Sequence, residues 1–216
     1  MAAHTIEIYS DVVCPWCYVG KRRLEAALEL AGLQATVQVR WRPFELNPTM
    51  PSRGMDRKTY LEAKFGSPQA VESMLEHVRE AGRQSGIAFA FDRIPRTPNT
   101  FDAHRLIWLA GEQQQQDAVV ESLFKGYFEE GADLGERDVL VELVARAGLD
   151  RVRSLHCLET ETSGASVREE ERRGLRLGIR AVPHFLIADR PGLSGAHPPP
   201  TLAAWLREGL AKEAVR

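Results

Sequence analysis

Hydrophobic and polar residues alternate in two stretches near the start of the chain, 5–9 (TIEIY) and 36–41 (TVQVRW). Both are rich in β-branched and aromatic side chains, which predicts two strands. Between them the period changes: Val19, Leu24, Ala27, Leu28 and Ala31 recur at near-helical spacing from Tyr18 to Ala31, and Gly32 stands where a helix would end. A loop rich in Pro, Asn and Gly follows (RPFELNPTMPSRG). From about residue 56 to 178 helical periodicity dominates, in TYLEAKFG, QAVESMLEHVREAGRQSG, TFDAHRLIWLAGEQ, DAVVESLFKGYFEEG, RDVLVELVARAG and 163–178, which predicts about six helices. Asp56, Ser67-Pro68, Asn99-Thr100 and Glu136 with Asp138 stand at or near their first turns. After Gly178 strand character returns in RAVPHFLIAD (180–189), followed by a Pro191-Gly192 turn, LSGA and a closing helix, PPPTLAAWLREGLAKEA.

The order β–α–β, helices, β–β–α predicts an α/β architecture, a thioredoxin fold interrupted by a large all-helical insertion. The expected boundaries are 1–50 for the N-terminal half, 51–178 for the insertion and 179–216 for the C-terminal half. With 216 residues and 44% hydrophobic positions, the chain can bury a core without disulfide staples. Charge balance, 28 Lys+Arg against 30 Asp+Glu, gives no general attraction to nucleic acid or to an anionic membrane. The run REEERRGLR (168–176) alternates in sign and reads as a solvated helix face. No stretch approaches the roughly 20 apolar residues of a membrane span, and the N-terminus lacks the basic and apolar regions of a signal peptide. Three cysteines, an odd number, argue against a secreted disulfide framework. A cytoplasmic location is expected, where resting disulfides are uncommon. Oligomeric state is left open.

Two of the cysteines form Cys14-Pro15-Trp16-Cys17 at the start of the first helix. The thiolate is the nucleophile of disulfide exchange, and a helix N-terminus favours an anion through its free N–H groups and its dipole. Pro15 suits a first helical turn because it has no N–H to leave unpaired. Cys14 is thus placed to attack a disulfide, and Cys17, one turn on, to resolve the mixed disulfide. A CxxC beside a βαβ pattern is a recognised thioredoxin-like signature. Zinc would require four ligands, and beyond Cys157 the chain has no second CxxC and no HxxxH. Two inert buried thiols are the remaining alternative. Val182-Pro183 opens the late strand where a thioredoxin fold sets a cis-proline against its CxxC, and proline makes a cis bond cheap; an ordinary edge-strand proline is the plainer alternative.

The stretches IEIYSDVVCPWCYVGKRRLE, VRWRPFELNPTMP, PNTFDAHRLI, GIRAVPHFLI and LSGAHPP resemble the DsbA-like thioredoxin superfamily, in particular its FrnE-type cytosolic branch. That branch is related to 2-hydroxychromene-2-carboxylate isomerases and kappa-class glutathione transferases. The resemblance implies a protein thiol–disulfide oxidoreductase with Cys14 nucleophilic, Cys17 resolving and Pro183 in cis beside them. Its cofactor would be its own Cys14–Cys17 redox pair, with no metal and with glutathione as a candidate ligand; its partners would be protein or small-molecule thiols and disulfides. The glutathione-dependent relatives usually carry serine where Cys14 stands, so the intact pair favours disulfide exchange over isomerase or transferase chemistry. Some longer relatives carry a second cysteine pair, which this sequence does not have. A groove that binds peptide without turnover is a further reading, from a different functional class.

Other candidates are weaker. Trp16 is expected to be exposed, as an apolar platform for substrate, or else simply packed. Glu7, on the first strand, is expected to face solvent, with proton acceptance from the resolving thiol as the functional alternative. Pro15, Val182 and His184 are expected to line the groove, and Asn99 matches a position near the ligand cleft of the related isomerases. His104 reads as a satisfied helix histidine and Cys157 as an inert thiol without a partner.

Overall fold

The computed structural model describes residues 4–188 and 192–211. Strand β1 (His4–Ser10) leads through the turn 11–14 into helix α1 (Pro15–Ala31), and β2 (Val37–Pro43) returns parallel to β1, with Ile6 opposite Val39 and Ile8 opposite Trp41. Helix α1 ends where the sequence placed its stop: Gly32 adopts the left-handed conformation (φ 69°) that costs other residues most. Next comes β3 (Met55–Asp56), whose two residues pair antiparallel with β4 (Arg96–Thr97). Helices α2 (Arg57–Phe65) and α3 (Pro68–Gln84) lie between these two strands in the chain. Helices α4 (Phe101–Glu112), α5 (Gln116–Lys125), α6 (Arg137–Arg146), α7 (Arg151–Glu159) and α8 (Thr162–Arg176) follow. The chain then re-enters the sheet as β5 (His184–Ile187) and β6 (Leu193–Ser194) and closes on α9 (Pro199–Ala211).

The main sheet has the order β2-β1-β5-β6, with β5 antiparallel to β1 and β6 antiparallel to β5. This is the expected thioredoxin-type α/β arrangement. Alternation along β1 sorts its two faces. Ile6 and Ile8, with Phe185 and Ile187, join a core that continues through Tyr18 and Val19 to Phe124, Phe128 and Leu140. The helices after β2 therefore share one hydrophobic core with the sheet and α1. Tyr9 and Leu186 lie on the opposite face with Ile179.

A buried ionic group adds a polar tie. Lys21, only 3% exposed, sits on α1 within 3.2 Å of Asp117 and 3.1 Å of Glu121 on α5, and also pairs with Glu25. Burial disfavours its charge, but the three carboxylates outweigh that and hold its pKa above the ordinary lysine value.

Several expectations are corrected. The segment between the sheet halves is not all helical, because it contains the β3–β4 ribbon, and Asp56 both pairs in that ribbon and caps α2 through Thr59 N–H at 2.8 Å. Seven helices, not six, occupy it among the described residues. The helix that the periodicity does not predict is α7, whose Val152 and Leu155 are exposed, so its apolar positions do not mark a buried stripe. Asp150 caps α7, and the buried Arg105 guanidinium donates to the carbonyls of Cys157, Leu158 and Thr160 at its C-terminal end. Ser67 caps α3 as expected, but neither Thr100 nor Glu136 makes a side-chain cap bond. The helix expected through GYFEE changes to a π turn at Gly126–Glu130. Strand β5 is shorter than 180–189, since residues 181–183 form bends; Asp189, Pro191 and the end of the closing helix lie outside the described residues.

Candidate active site

The turn between β1 and α1 sets the nucleophile. Cys14 is the N-cap residue of α1, in an extended conformation, and Pro15 takes the first helical position. The Cys14 N–H donates to Asp11 O at 3.0 Å, and the Cys14 carbonyl accepts from Cys17 N–H at 3.0 Å. All three cysteines are free thiols, with Cys14 5% exposed and Cys17 0%. Burial pushes the Cys17 thiol well up, and the neighbouring Cys14 sulfur adds to that, while bonds from Ser10 and the Asp11 backbone act in the opposite direction. Cys17 therefore stays protonated until something removes its proton. Cys14 has the helix dipole behind it and no acidic residue in the first turn of α1 to oppose an anion.

Opposite the thiols, the Val182–Pro183 peptide bond is cis. Cys14 Sγ lies 3.8 Å from Val182 O, so the carbonyl just before the cis-proline faces the first thiol. Pro183 also packs against α1, close enough that a methyl group added at Gly20 would stand 2.8 Å from its ring.

Cys14 opens into a cavity of about 230 Å³. Val13, Pro15 and Trp16 form its wall beside the thiol, and α2 closes it with Arg57, Tyr60 and Lys64. Apolar side chains, including Leu61, Phe65 and Met74, supply most of the remainder. Its charged groups are thus cationic. Lys64 Nζ donates to Tyr60 OH at 2.7 Å, and Tyr60 OH donates to Asn47 Oδ1 at 2.9 Å, which fixes the phenol across the mouth. Arg57 stands over the Phe91 ring at 5.3 Å and reaches Tyr127 OH at 3.4 Å. Burial raises the Tyr127 phenol to about 12. Cavities of about 420 and 400 Å³ lie elsewhere, the second beside Cys157, but neither contains the thiol pair.

Of the residues singled out from the sequence, Cys14, Cys17, Pro15, Trp16, Val182 and Pro183 come together here. Trp16 is half-buried against the core rather than fully exposed, because the helices after β2 cover it. Three others do not join the thiols. His184 is half-buried with Nδ1 2.6 Å from Ser194 Oγ, bridging β5 to β6, and burial lowers its pKa. Asn99 ties the loop after β2 to α4, donating to Met50 O at 2.8 Å and accepting from Phe101 N–H at 3.0 Å. It borders a different cavity, of about 360 Å³. Glu7 is neither solvent-facing nor bonded to a cysteine: it pairs with Arg42 and with Arg173 of α8, at 2.8 Å from the latter. Burial opposes its charge, yet the two guanidiniums win and hold its carboxyl below the usual range.

Cys157 is buried, 3.1 Å from Ser163 Oγ, and burial raises its thiol. Sequence reasoning missed Arg57, Tyr60, Lys64 and Tyr127, which line the cavity beside Cys14 from elements far along the chain. It also missed Asp11, whose only signal was its place three residues before Cys14.

A cysteine pair at the start of the first thioredoxin helix, faced by a cis-proline and roofed by helices, defines a DsbA-like protein. The chain belongs to the family of the DSBA-like thioredoxin domain, whose model matches residues 5–207. It is 30% identical over 202 residues to YwbO of Bacillus subtilis, spanning 90% of this chain and 92% of that protein. The crystal structure of the probable DsbA oxidoreductase of Streptomyces coelicolor is similar, with a TM-score of 0.89 and 32% identity over 96% of this chain and 90% of that one. The fold is shared with the cytosolic disulfide reductase DsbM of Pseudomonas aeruginosa, solved with GSH, at a TM-score of 0.67 and 21% identity over 96% of this chain and 99% of that one. A 2-hydroxychromene-2-carboxylate isomerase shares it too, at 0.71 and 15% over 97% and 98% of the two chains.

Proposed function

We propose that this protein is a thiol–disulfide oxidoreductase that works through the Cys14/Cys17 dithiol. The observation that carries the reading is the asymmetry of the pair: Cys14 caps the helix and opens into a cavity, whereas Cys17 is fully buried with a raised pKa. In the reducing direction, the Cys14 thiolate attacks one sulfur of a substrate disulfide. That S–S bond breaks, the first substrate sulfur leaves as a thiolate and takes up a proton, and a mixed disulfide remains on Cys14. Cys17 then gives up its proton and attacks Cys14 Sγ, releasing the second substrate thiol and closing the Cys14–Cys17 disulfide. Two electrons and two protons pass from the dithiol to the substrate, and the oxidising direction is the reverse. The dithiol needs no metal or organic cofactor for these steps.

The cavity supports a small anionic thiol or disulfide, such as glutathione, as one partner, since Arg57 and Lys64 supply cationic groups near Cys14. Protein disulfides are the second partner class, presented as extended chain against the Val182 carbonyl. A FrnE-like role in the cytoplasm suits these features, and no helix among the described residues is long and apolar enough to cross a membrane. A glutathione-dependent isomerase or transferase is the second reading, favoured by the same cationic cavity. Insulin reduction tests the first. The expected result is turnover by the wild type that Cys14→Ser abolishes; tight glutathione binding without disulfide exchange would favour the second.

A further inference from the structure

Behind the Cys14 turn lies a group of titratable side chains that the exchange steps above do not use. Asp11 is 1% exposed and holds the turn from two sides. Its Oδ2 accepts the Leu46 N–H at 2.7 Å, and its backbone carbonyl accepts the Cys14 N–H at 3.0 Å. His104 of α4, 3% exposed, approaches with Nε2 3.7 Å from Asp11 Oδ1. That distance is too long for a hydrogen bond, and this fully buried nitrogen has no other partner. Glu45, next to Leu46, and Glu171 of α8 face the same imidazole. Glu171 accepts from the Glu45 backbone, and its Oε1 is buried without a partner. Arg168 is the cation beside the two glutamates, and it lies over the Phe101 ring at 4.2 Å. Arg168 balances part of the negative charge of this group, and the His104 imidazole is the other cationic group facing it.

Resting on the proposed oxidoreductase reading, we infer that Asp11, His104, Glu45 and Glu171 form a buried proton-holding cluster that positions the Cys14 turn, and that its protonation state sets the reactivity of the dithiol. Three carboxylates facing one imidazole in a buried site cannot all ionise freely. Burial, then Glu171, raises Glu45 to about 7, and burial raises Glu171. Burial opposes the charge on His104, but Asp11, Glu171 and Glu45 outweigh it and keep the imidazole protonated to higher pH than usual. Glu45 borders the cavity of about 360 Å³, which gives the cluster an exit to solvent. As pH rises through about 7, ionisation of Glu45 adds a negative charge beside Asp11 and the turn. That charge disfavours the Cys14 thiolate, so reactivity should climb less steeply than a lone thiol would allow. Asp11 and His104 act here as positioning residues, since neither needs to touch the substrate.

The test is the rate of Cys14 alkylation by iodoacetamide against pH, read by mass mapping on the full chain. Wild type and Glu45→Gln should coincide below about pH 6. Above pH 7 the variant should react at least about threefold faster, the effect of one unit charge several ångströms away even with the screening of bulk water. Profiles that coincide at every pH would overturn the inference. Should Glu45→Gln fail to fold, NMR titration of the His104 ring in the wild type, reduced and oxidised, decides the matter. A pKa that differs between the two redox states supports the cluster, and an identical one overturns it. Insulin reduction by the same wild-type sample separates the two claims. No turnover with a divergent alkylation profile defeats the oxidoreductase reading alone; turnover with coincident profiles defeats the cluster alone.

Discussion

Gly20 lies in the middle of α1, on the side that meets the cis-proline, and Gly20→Ala tests that contact through the sign of its effect. An alanine inside an unhindered helix stabilises it by about 1 kcal/mol relative to glycine. Here the new Cβ would stand 2.8 Å from Pro183 Cγ and 3.4 Å from both Pro183 Cβ and Phe185 Cζ. Carbon atoms pack best at about 3.5–4.0 Å, and a proline ring cannot swing aside as the tip of a long side chain can. The helix must therefore move away from Pro183 by several tenths of an ångström. Forcing an extra methyl into a packed core costs about 1–3 kcal/mol, which outweighs the propensity gain and leaves a net loss of up to about 2 kcal/mol. The same displacement carries Cys14 away from the Val182 carbonyl, so insulin reduction should fall by about tenfold, within the range known for misplaced reacting groups. Urea denaturation and initial reduction rates measure the two effects. A variant more stable by about 1 kcal/mol with an unchanged rate would show that α1 does not press on Pro183, and would refute the reasoning.

Other substitutions probe other parts of the molecule. Lys21→Ala removes the buried cation from Glu25, Asp117 and Glu121, although Arg22 still pairs with Glu25 and Glu121 and the carboxylates are partly exposed; a loss of about 1 kcal/mol in urea denaturation is expected, and a neutral result would mean that Lys21 adds nothing net to the contact between α1 and α5. Because Arg173 and Arg42 depress the Glu7 carboxyl, the stability it contributes is present above the ordinary value of 4.5 and lost as pH falls through the lower folded value. Acid melts of Glu7→Gln should therefore be flatter below about pH 4.5 than those of the wild type, and parallel melts would dismiss the ion pair as a source of acid sensitivity. Cys157→Ser should reduce insulin at the wild-type rate, because the thiol is buried beside Ser163 and lines a separate cavity; a large loss would bring the third thiol into the chemistry.

The parts of this fold visible in the sequence are those in which a local signal and a burial pattern agree. Alternation in TIEIY, helical spacing up to Gly32 and the CPWC start of α1 each specify the backbone that the structure shows. Helix α7 was less legible because its stability is imported: a buried arginine forty-six residues before its first residue satisfies its last carbonyls, and no spacing rule connects Arg105 to Arg151–Glu159. The ribbon of Met55–Asp56 with Arg96–Thr97 is too short for alternation to register. The thiols, Pro15, Trp16 and the Val182-Pro183 bond were legible because motif and strand order place them. Asn99 and His184 were misplaced because neighbours in sequence or register need not share a cavity, and their hydrogen bonds to Met50 and Ser194 settle their positions. The cationic wall of the cavity depends on α2 folding over the thiols, which is a tertiary fact.

The central claim, that Cys14 exchanges disulfides and Cys17 resolves them, is tested most directly by trapping. Cys17→Ser is mixed with oxidised glutathione or oxidised insulin, quenched with acid and mapped by mass spectrometry. A stable mixed disulfide on Cys14 is expected, alongside a reversible Cys14–Cys17 disulfide in the wild type under the same conditions. An adduct carried instead by Cys157, or no adduct at all, would contradict the account.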